Sequence, residues 1–318
     1  VIALPKHHES DLVIASISGG KDSAALAIAL QEAGIPFVAV FADTGWEAPE
    51  TYAHLGTIER VLGIAIHRVG FPGGMRAKVM GRSGFPSRMA RWCTAELKVK
   101  PLDAFAHEMG EREGRAVLQA VGIRADESES RSAMTEVEHD DSRDLTVWRP
   151  LLRWTVEDVI GAHHRAGLPM HPHYLRGHSR VGCWPCIYSS KSEIALWAEH
   201  DPEGVKALAE LELEAERERA RRNAETPGRY SHETASFFQA REVTKLPDGK
   251  RVYLPVHVEQ VVEWARTDRG GKQMPLIREQ PAGGCFRWGM CEPPAADKPA
   301  DEEPAAANDN ADSTEVAS

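Results

Sequence analysis

The chain has 318 residues, 42% hydrophobic and 27% charged, with a formal net charge of −10. That length supports one large or two small domains around a substantial core, in the composition range of ordinary globular proteins. No apolar run approaches the ~20 residues that cross a bilayer, residues 1–11 carry no secretory pattern, and five cysteines are an odd number for a disulfide framework. A cytoplasmic protein with no membrane role is expected, its cysteines serving as ligands or redox groups.

Residues 11–18, largely apolar and β-branched, read as a buried parallel strand, and residues 24–33 as a strong helix that Gly34 ends. Between them lies Ser18-Gly19-Gly20-Lys21-Asp22-Ser23. A strand, a two-glycine turn and a helix bring backbone N–H groups and a helix dipole to phosphate oxygens. Ser18 and Ser23 add hydroxyls, Lys21 a charge, and Asp22 a carboxylate able to hold Mg²⁺. The spacing is neither Walker A nor Gly-x-Gly-x-x-Gly.

Residues 36–42 read as a second strand ending in Asp43-Thr44-Gly45. Ligands of open α/β sheets sit beyond the carboxyl ends of strands, so Asp43 is expected to bond ribose or adenine there, or else to cap the next helix. A helix over 47–63 and a strand over 64–69 complete three units, which commits the fold to a doubly wound, mostly parallel sheet. Residues 71–91 read as a basic loop covering the nucleotide. Between Arg76 and Lys100 seven bases face one acid, Glu96, a local excess that invites phosphate on a nucleotide or a polynucleotide. Arg91, Lys98 and Lys100 are the expected substrate or anion contacts there, beside a thiolate-favouring Cys93.

A fourth strand over 116–122 leads into Arg124, Glu127 and Arg131, suited to phosphate, sulfate or metal. Residues 132–144 read as a flexible acidic loop, and Thr155 as the cap of a helix over 156–166. Cys183-x-x-Cys186 puts two soft ligands on one turn, a redox pair or half of a zinc or iron–sulfur site. The histidines nearby read as packing groups. A helix over 191–224 breaks at Pro202, and residues 210–222, nearly all charged, read as a solvated face. Residues 252–266 hold one more strand and helix, and Gly283-Gly284-Cys285 to Cys291 a tight wrap. From Glu292 onward eight acids and one base predict a disordered tail. The expected organisation is a nucleotide-binding domain over 1–188, a helical and irregular extension over 189–291 completing a metal site, and the acidic tail over 292–318.

The loop at Ser18 to Ser23 resembles the PP-loop of the ATP pyrophosphatase (adenine nucleotide alpha hydrolase) superfamily, whose members cleave ATP between the α- and β-phosphates. With Asp43-Thr44-Gly45, Cys93-Thr-x-x-Leu-Lys-x-x-Pro101, Gly122-Ile-Arg-x-x-Glu127-Ser and Pro172-x-Tyr174 through Cys186, the chain is similar to the phosphoadenosine phosphosulfate (PAPS) reductase-like family over residues 10–200. The resemblance implies a HUP/PP-loop fold, nucleotide contacts at Ser18, Gly19, Gly20, Lys21, Asp22, Ser23, Asp43, Arg124 and Glu127, and catalytic roles for Lys21, Asp22 and Cys93. It also implies a [4Fe-4S] cluster on Cys93, Cys183 and Cys186, with Cys285 or Cys291 as fourth ligand and zinc as the competing metal.

The complete loop and the lack of a C-terminal Glu-Cys-Gly-Leu-His set the chain apart from sulfonucleotide reductases. Its motifs resemble most the Dnd- and Ssp-type DNA phosphorothioation proteins. That likeness implies ATP with Mg²⁺, adenylation of an acceptor, sulfur transfer, a nucleic-acid acceptor and a cysteine desulfurase as sulfur donor. A PAPS or adenosine phosphosulfate (APS) reductase, or a non-catalytic nucleotide-binding subunit, is the alternative. The near-neutral core lacks the broad basic surface of a protein that holds DNA alone.

Overall fold

A computed structural model of the protein describes residues 2–230, 233–245 and 251–268. The expected strands and helices alternate from the start: β1 (Leu12–Ser16), α1 (Lys21–Glu32), β2 (Val38–Asp43), α2 (Pro49–Leu62) and β3 (Ile66–Gly70). Next come α3 (Gly74–Arg82), the single turn α4 (Trp92–Thr94), a π-helical turn over Ala95–Val99, α5 (Lys100–Glu113) and β4 (Val117–Val121). A 3₁₀ turn at Ala125–Glu127 and α6 (Glu129–Ser132) precede the hairpin of β5 (Val137–Asp140) and β6 (Leu145–Trp148). α7 (Val156–Ala166), α8 (Pro172–Leu175), α9 (Lys191–His200), α10 (Pro202–Glu225), the pair β7 (Arg241–Lys245) and β8 (Arg251–Pro255), and α11 (Val258–Ala265) follow.

The main sheet runs β3-β2-β1-β4-β6-β5, parallel except for the β5–β6 pair. It is the mostly parallel α/β sheet that the sequence predicts. β1 feeds β2 on one side while β4 lies on the other, so the strand order reverses at β1 and opens a crevice beyond its carboxyl end. α1 is apolar nearly all round, with Ala24 to Leu30 at 3% exposure or less, because it lies between the sheet and α7 in one core with Ile17, Phe41, Leu55, Trp148 and Val159. Thr155 caps α7 as expected, accepting from Asp158 N, and α9 and α10 part at Pro202.

Three expectations need correction. Residues 71–91 are not all loop: α3 begins where Gly73 and Gly74 adopt positive φ, and its Met75 and Val79, one turn apart, are buried. Residues 132–144 include β5, an antiparallel edge strand whose polar Glu138 and His139 are exposed. Residues 210–222 are not wholly solvated, because Leu211, Glu212 and Ala215 are 1% exposed or less. That face of α10 packs with Met75, Val79, Phe85, Leu97, Trp197, Phe237 and Val261 in a second apolar cluster. Residues 269–318, which hold Cys285, Cys291 and the acidic tail, lie outside the described residues. Among the described residues no helix is long and apolar enough to cross a membrane.

Candidate functional site

The six-residue loop closes the carboxyl end of β1 and hands the chain to α1. Gly19 has φ +78°, a conformation that side chains resist. Ser23 Oγ accepts from Ser18 N at 3.0 Å and donates to the Gly20 carbonyl at 2.9 Å, which ties the loop across its own mouth. Gly20 is the N-cap of α1 and no side chain caps that end. Lys21 N donates to Tyr174 Oη at 3.2 Å, and His163 Nε2 donates to the Lys21 carbonyl at 2.9 Å. These two buried groups, from α8 and α7, hold the loop from behind, and sequence reasoning gave neither the role.

Asp22 is the electrostatic centre. Lys21 Nζ and Arg124 Nε each donate to one of its oxygens at 2.6 Å. Lys21 is only 5% exposed and Arg124 3%, so this is a largely desolvated cluster of two cations on one carboxylate, with Asp126 as the second partner of Arg124 at 2.5 Å. β4 approaches closely here: a Cβ on Gly122 would stand 2.7 Å from the Asp22 carbonyl oxygen. Glu127 accepts from Arg124 N at 3.2 Å and pairs with Arg131. Asp43, at the end of β2, accepts from Gly45 N at 2.9 Å and Tyr52 Oη at 2.8 Å. It does not cap α2, whose N-cap is Ala48.

A second feature lies on the same side of the sheet. Cys93, Cys183 and Cys186, all reduced, line one cavity of ≈ 260 Å³ with Arg91, Thr94, Lys98, His173 and His178. The Cys-x-x-Cys turn is stitched to the loop after β2: Trp184 N donates to the Trp46 carbonyl at 2.7 Å, and Trp46 Nε1 to the Pro185 carbonyl at 3.1 Å. Lys98 sits on the π-helical turn, which re-aims a helix face, and its ammonium lies near the Cys183 sulfur on the same cavity wall. Burial pushes the Cys183 thiol up, with the Lys98 ammonium opposing it. Among the described residues no three His, Cys, Asp or Glu side chains are grouped closely enough to hold a metal ion.

On and behind the cavity wall His171, His173 and His178 are core groups, as expected, and His54 joins them. His54, His171, His173 and His178 are all 5% exposed or less, and His173 stacks on Trp184 with ring centres 4.0 Å apart. Burial holds His54 and His173 down to about 4 and His171 to about 2, so all three are neutral imidazoles near pH 7.

The basic run of 76–100 divides. Arg76 pairs with Glu214, and Lys78 and Arg82 both pair with Glu96, so these three cations share two carboxylates within the fold rather than being held out to a nucleotide. Lys98 and Arg91 reach the cavity, while Lys100 is exposed and outside its lining.

A parallel α/β sheet with a glycine-turned, cation-bearing loop at its switch point defines a nucleotide-binding domain. The chain belongs to the phosphoadenosine phosphosulfate reductase domain family, whose pattern matches residues 12–189. It is 31% identical to an uncharacterised 37.8 kDa protein of Escherichia phage 186, over 85% of this chain and 92% of that one. It is 32% identical to the adenosine 5'-phosphosulfate reductase of Streptomyces coelicolor over 46% of this chain, and that match spans 60% of the reductase. Among solved structures, the phosphoadenylyl-sulfate reductase of Candida auris aligns with 16% identity and a TM-score of 0.42, over 55% of this chain and 82% of the other.

Proposed function

We propose that the protein binds ATP with its triphosphate on the Ser18 to Ser23 loop and breaks the bond between the α- and β-phosphates, adenylating an acceptor that then receives sulfur. The observation that carries this reading is the complete loop with Asp22 held between Lys21 and Arg124. Two buried cations beside an uncapped helix start suit a departing pyrophosphate, whose charge grows as the anhydride breaks. Asp22 would hold Mg²⁺ across the phosphates once Lys21 turns to the nucleotide. Ser18, Gly19, Gly20 and Ser23 would supply N–H and hydroxyl donors. Asp43 would orient the nucleoside, and Glu127 would keep Arg124 and Arg131 in place.

The acceptor oxygen attacks the α-phosphorus, pyrophosphate leaves, and a sulfur nucleophile then displaces AMP. Cys93, Arg91 and Lys98, on the cavity wall, would face that second step, with Lys100 and Arg131 outside it. Three thiols line one cavity, and thiolates are the ligands a [4Fe-4S] cluster or zinc takes, although as placed here the three do not stand close enough together to hold a metal. Cys93, Cys183 and Cys186 would hold it, with Cys285 or Cys291 completing the set, and a cluster would supply electron or sulfide chemistry there. The likeness to Dnd- and Ssp-type proteins supports a nucleic-acid acceptor fed by a cysteine desulfurase.

The APS reductases among the relatives favour a second reading, reduction of a sulfonucleotide to sulfite by a thiol. Purified protein incubated with Mg²⁺, a dithiol reductant and either ATP or APS separates the two: pyrophosphate from ATP supports adenylation, and sulfite from APS, its two electrons drawn from the dithiol, with ATP untouched refutes it. ATP binding without turnover of either would leave a nucleotide-binding subunit. Metal analysis after anaerobic purification reads the donor set independently. About four irons per chain with broad absorption near 400 nm fits the cluster, and a colourless protein with one zinc excludes it.

A further inference from the structure

The loop before α4 and the turn after Cys186 meet at the mouth of the thiol cavity. Tyr188 Oη donates to the Arg88 carbonyl at 3.3 Å. The Arg88 and Arg91 guanidiniums lie 5.5 Å and 5.1 Å from the centre of the Tyr188 ring. The ring is 37% exposed, and Met89, between the two arginines, is 97% exposed. Arg180, also exposed, lines the same cavity as Arg91 and Tyr188. Among the described residues no ion pair is made by Arg88 or Arg91, and Arg180 makes none within 4.0 Å although its charge lowers the Glu193 carboxyl on the same cavity wall, whereas Arg76, Lys78 and Arg82 all have carboxylate partners. Three guanidiniums are thus presented to solvent in a chain of net charge −10.

We infer that this mouth is a docking surface for a single-stranded nucleic acid. The Arg88 and Arg91 guanidiniums, without carboxylates, match the forked geometry of phosphate, and Arg180 adds a third beside Glu193. An exposed aromatic between two of them adds a face on which an unstacked base lies, a combination that serves single strands because every base has a π-face. A duplex, its bases stacked, offers phosphates and no such face. An acidic peptide would satisfy the arginines and leave the Tyr188 and Met89 surfaces without a matching group. The strand would pass over the opening that leads to Cys93, Cys183 and Cys186, and it rests on the adenylation reading only for what the strand is brought there to do.

The test is fluorescence anisotropy with the full chain, no nucleotide present, and labelled DNA and RNA oligonucleotides of about 12 bases, within the usual single-strand site sizes. Both single strands are expected to bind more tightly than the matching duplex, with DNA and RNA arms showing which sugar is preferred. Three phosphate contacts predict a slope of log K on log salt of about −2. Arg88→Ala with Arg91→Ala should bring the slope to roughly −0.7. Tyr188→Ala should weaken binding about 10-fold and leave the slope alone. Arg165→Ala, an exposed pair with Glu32 on α1, should change nothing. Duplex binding equal to single-strand binding, displacement by polyglutamate at equal charge, or unaltered binding by the double-arginine and tyrosine variants would overturn the inference. Oligonucleotide binding that behaves as described beside absent pyrophosphate release keeps this surface and removes the adenylation reading.

Discussion

The phosphate loop and the thiol cavity share one side of one sheet, yet they are built in opposite ways. The loop is a single stretch of chain between β1 and α1, backed by an apolar core in which α1 is almost wholly buried. Its charges satisfy one another at Asp22. The cavity is assembled from α4 and the π-helical turn, the segment from His173 to Ser189 and the start of α9, and it leans on the second apolar cluster. Among the described residues two of its lining groups, His173 Nε2 and His178 Nε2, are buried without a hydrogen-bond partner. A local cradle is rigid because few segments must agree, whereas a cavity of distant parts depends on all of them.

Substitutions can break this division. Asp22→Ala leaves Lys21 and Arg124 facing each other without their carboxylate, and pyrophosphate release should fall at least ~100-fold, the scale on which lost electrostatic stabilisation shows. Titration of Cys93, Cys183 and Cys186 with a thiol reagent should stay as in the parent protein. Altered thiol reactivity would mean that the two regions are coupled.

Acid should act on both regions, because burial holds down His163 behind the loop as well as the histidines near the cavity. His54, His171 and His173 have folded-state values depressed below the ordinary 6.5. Their contribution to stability is therefore complete above pH 6.5 and lost as pH falls toward 4. Each imidazole adds up to about 1.4 kcal/mol per pH unit in that window. Denaturant melts between pH 7 and 4.5 should show this loss, and His171→Phe should shallow it.

Gly122→Ala probes the loop side by a smaller amount. Its Cβ would press on the Asp22 carbonyl at 2.7 Å, and a forced backbone shift costs about 1–3 kcal/mol. A raised KM for ATP with the thermal midpoint only modestly lowered is the expected result.

Glu212 supplies the smallest effect, with the opposite sign. It is fully buried, accepts from Phe237 N at 2.7 Å and Val258 N at 2.8 Å, and burial raises its carboxyl to about 7. A raised folded value makes its contribution greatest below pH 4.5 and lost as pH rises toward 7. Hydrogen exchange of α10 and α11 amides should quicken over that rise by an amount on the order of 1 kcal/mol per pH unit, and Glu212→Gln should flatten the trend.

How much of this was legible in the sequence follows the same division. β1, β2 and β4 show as apolar runs because both faces of the sheet are covered, α1 shows as one because it lies between the sheet and α7, and the loop stands out because its glycines and charges are consecutive. α3 was hidden by Gly73 and Gly74, which read as breakers but start the helix. The spacing of Met75 and Val79 was the available signal. On α10 the charges masked Leu208, Leu211 and Ala215, a three-then-four spacing that marks a buried stripe. The basic run looked like a phosphate trap because Glu214 lies more than a hundred residues beyond Arg76, and the single Glu96 holds two cations. Pairing across such distances leaves no local pattern. Tyr174 and His163, which brace the loop, are likewise set by tertiary contact alone.

The account turns on which phosphate bond is broken at the Ser18 to Ser23 loop. Phosphorus NMR of the full chain with Mg²⁺ and ATP, with and without a single-stranded acceptor, reads this directly. Growth of the pyrophosphate resonance together with AMP or an adenylated acceptor is the expected spectrum. Appearance of ADP with inorganic phosphate, or an unchanged ATP spectrum beside sulfite production from APS, would contradict it.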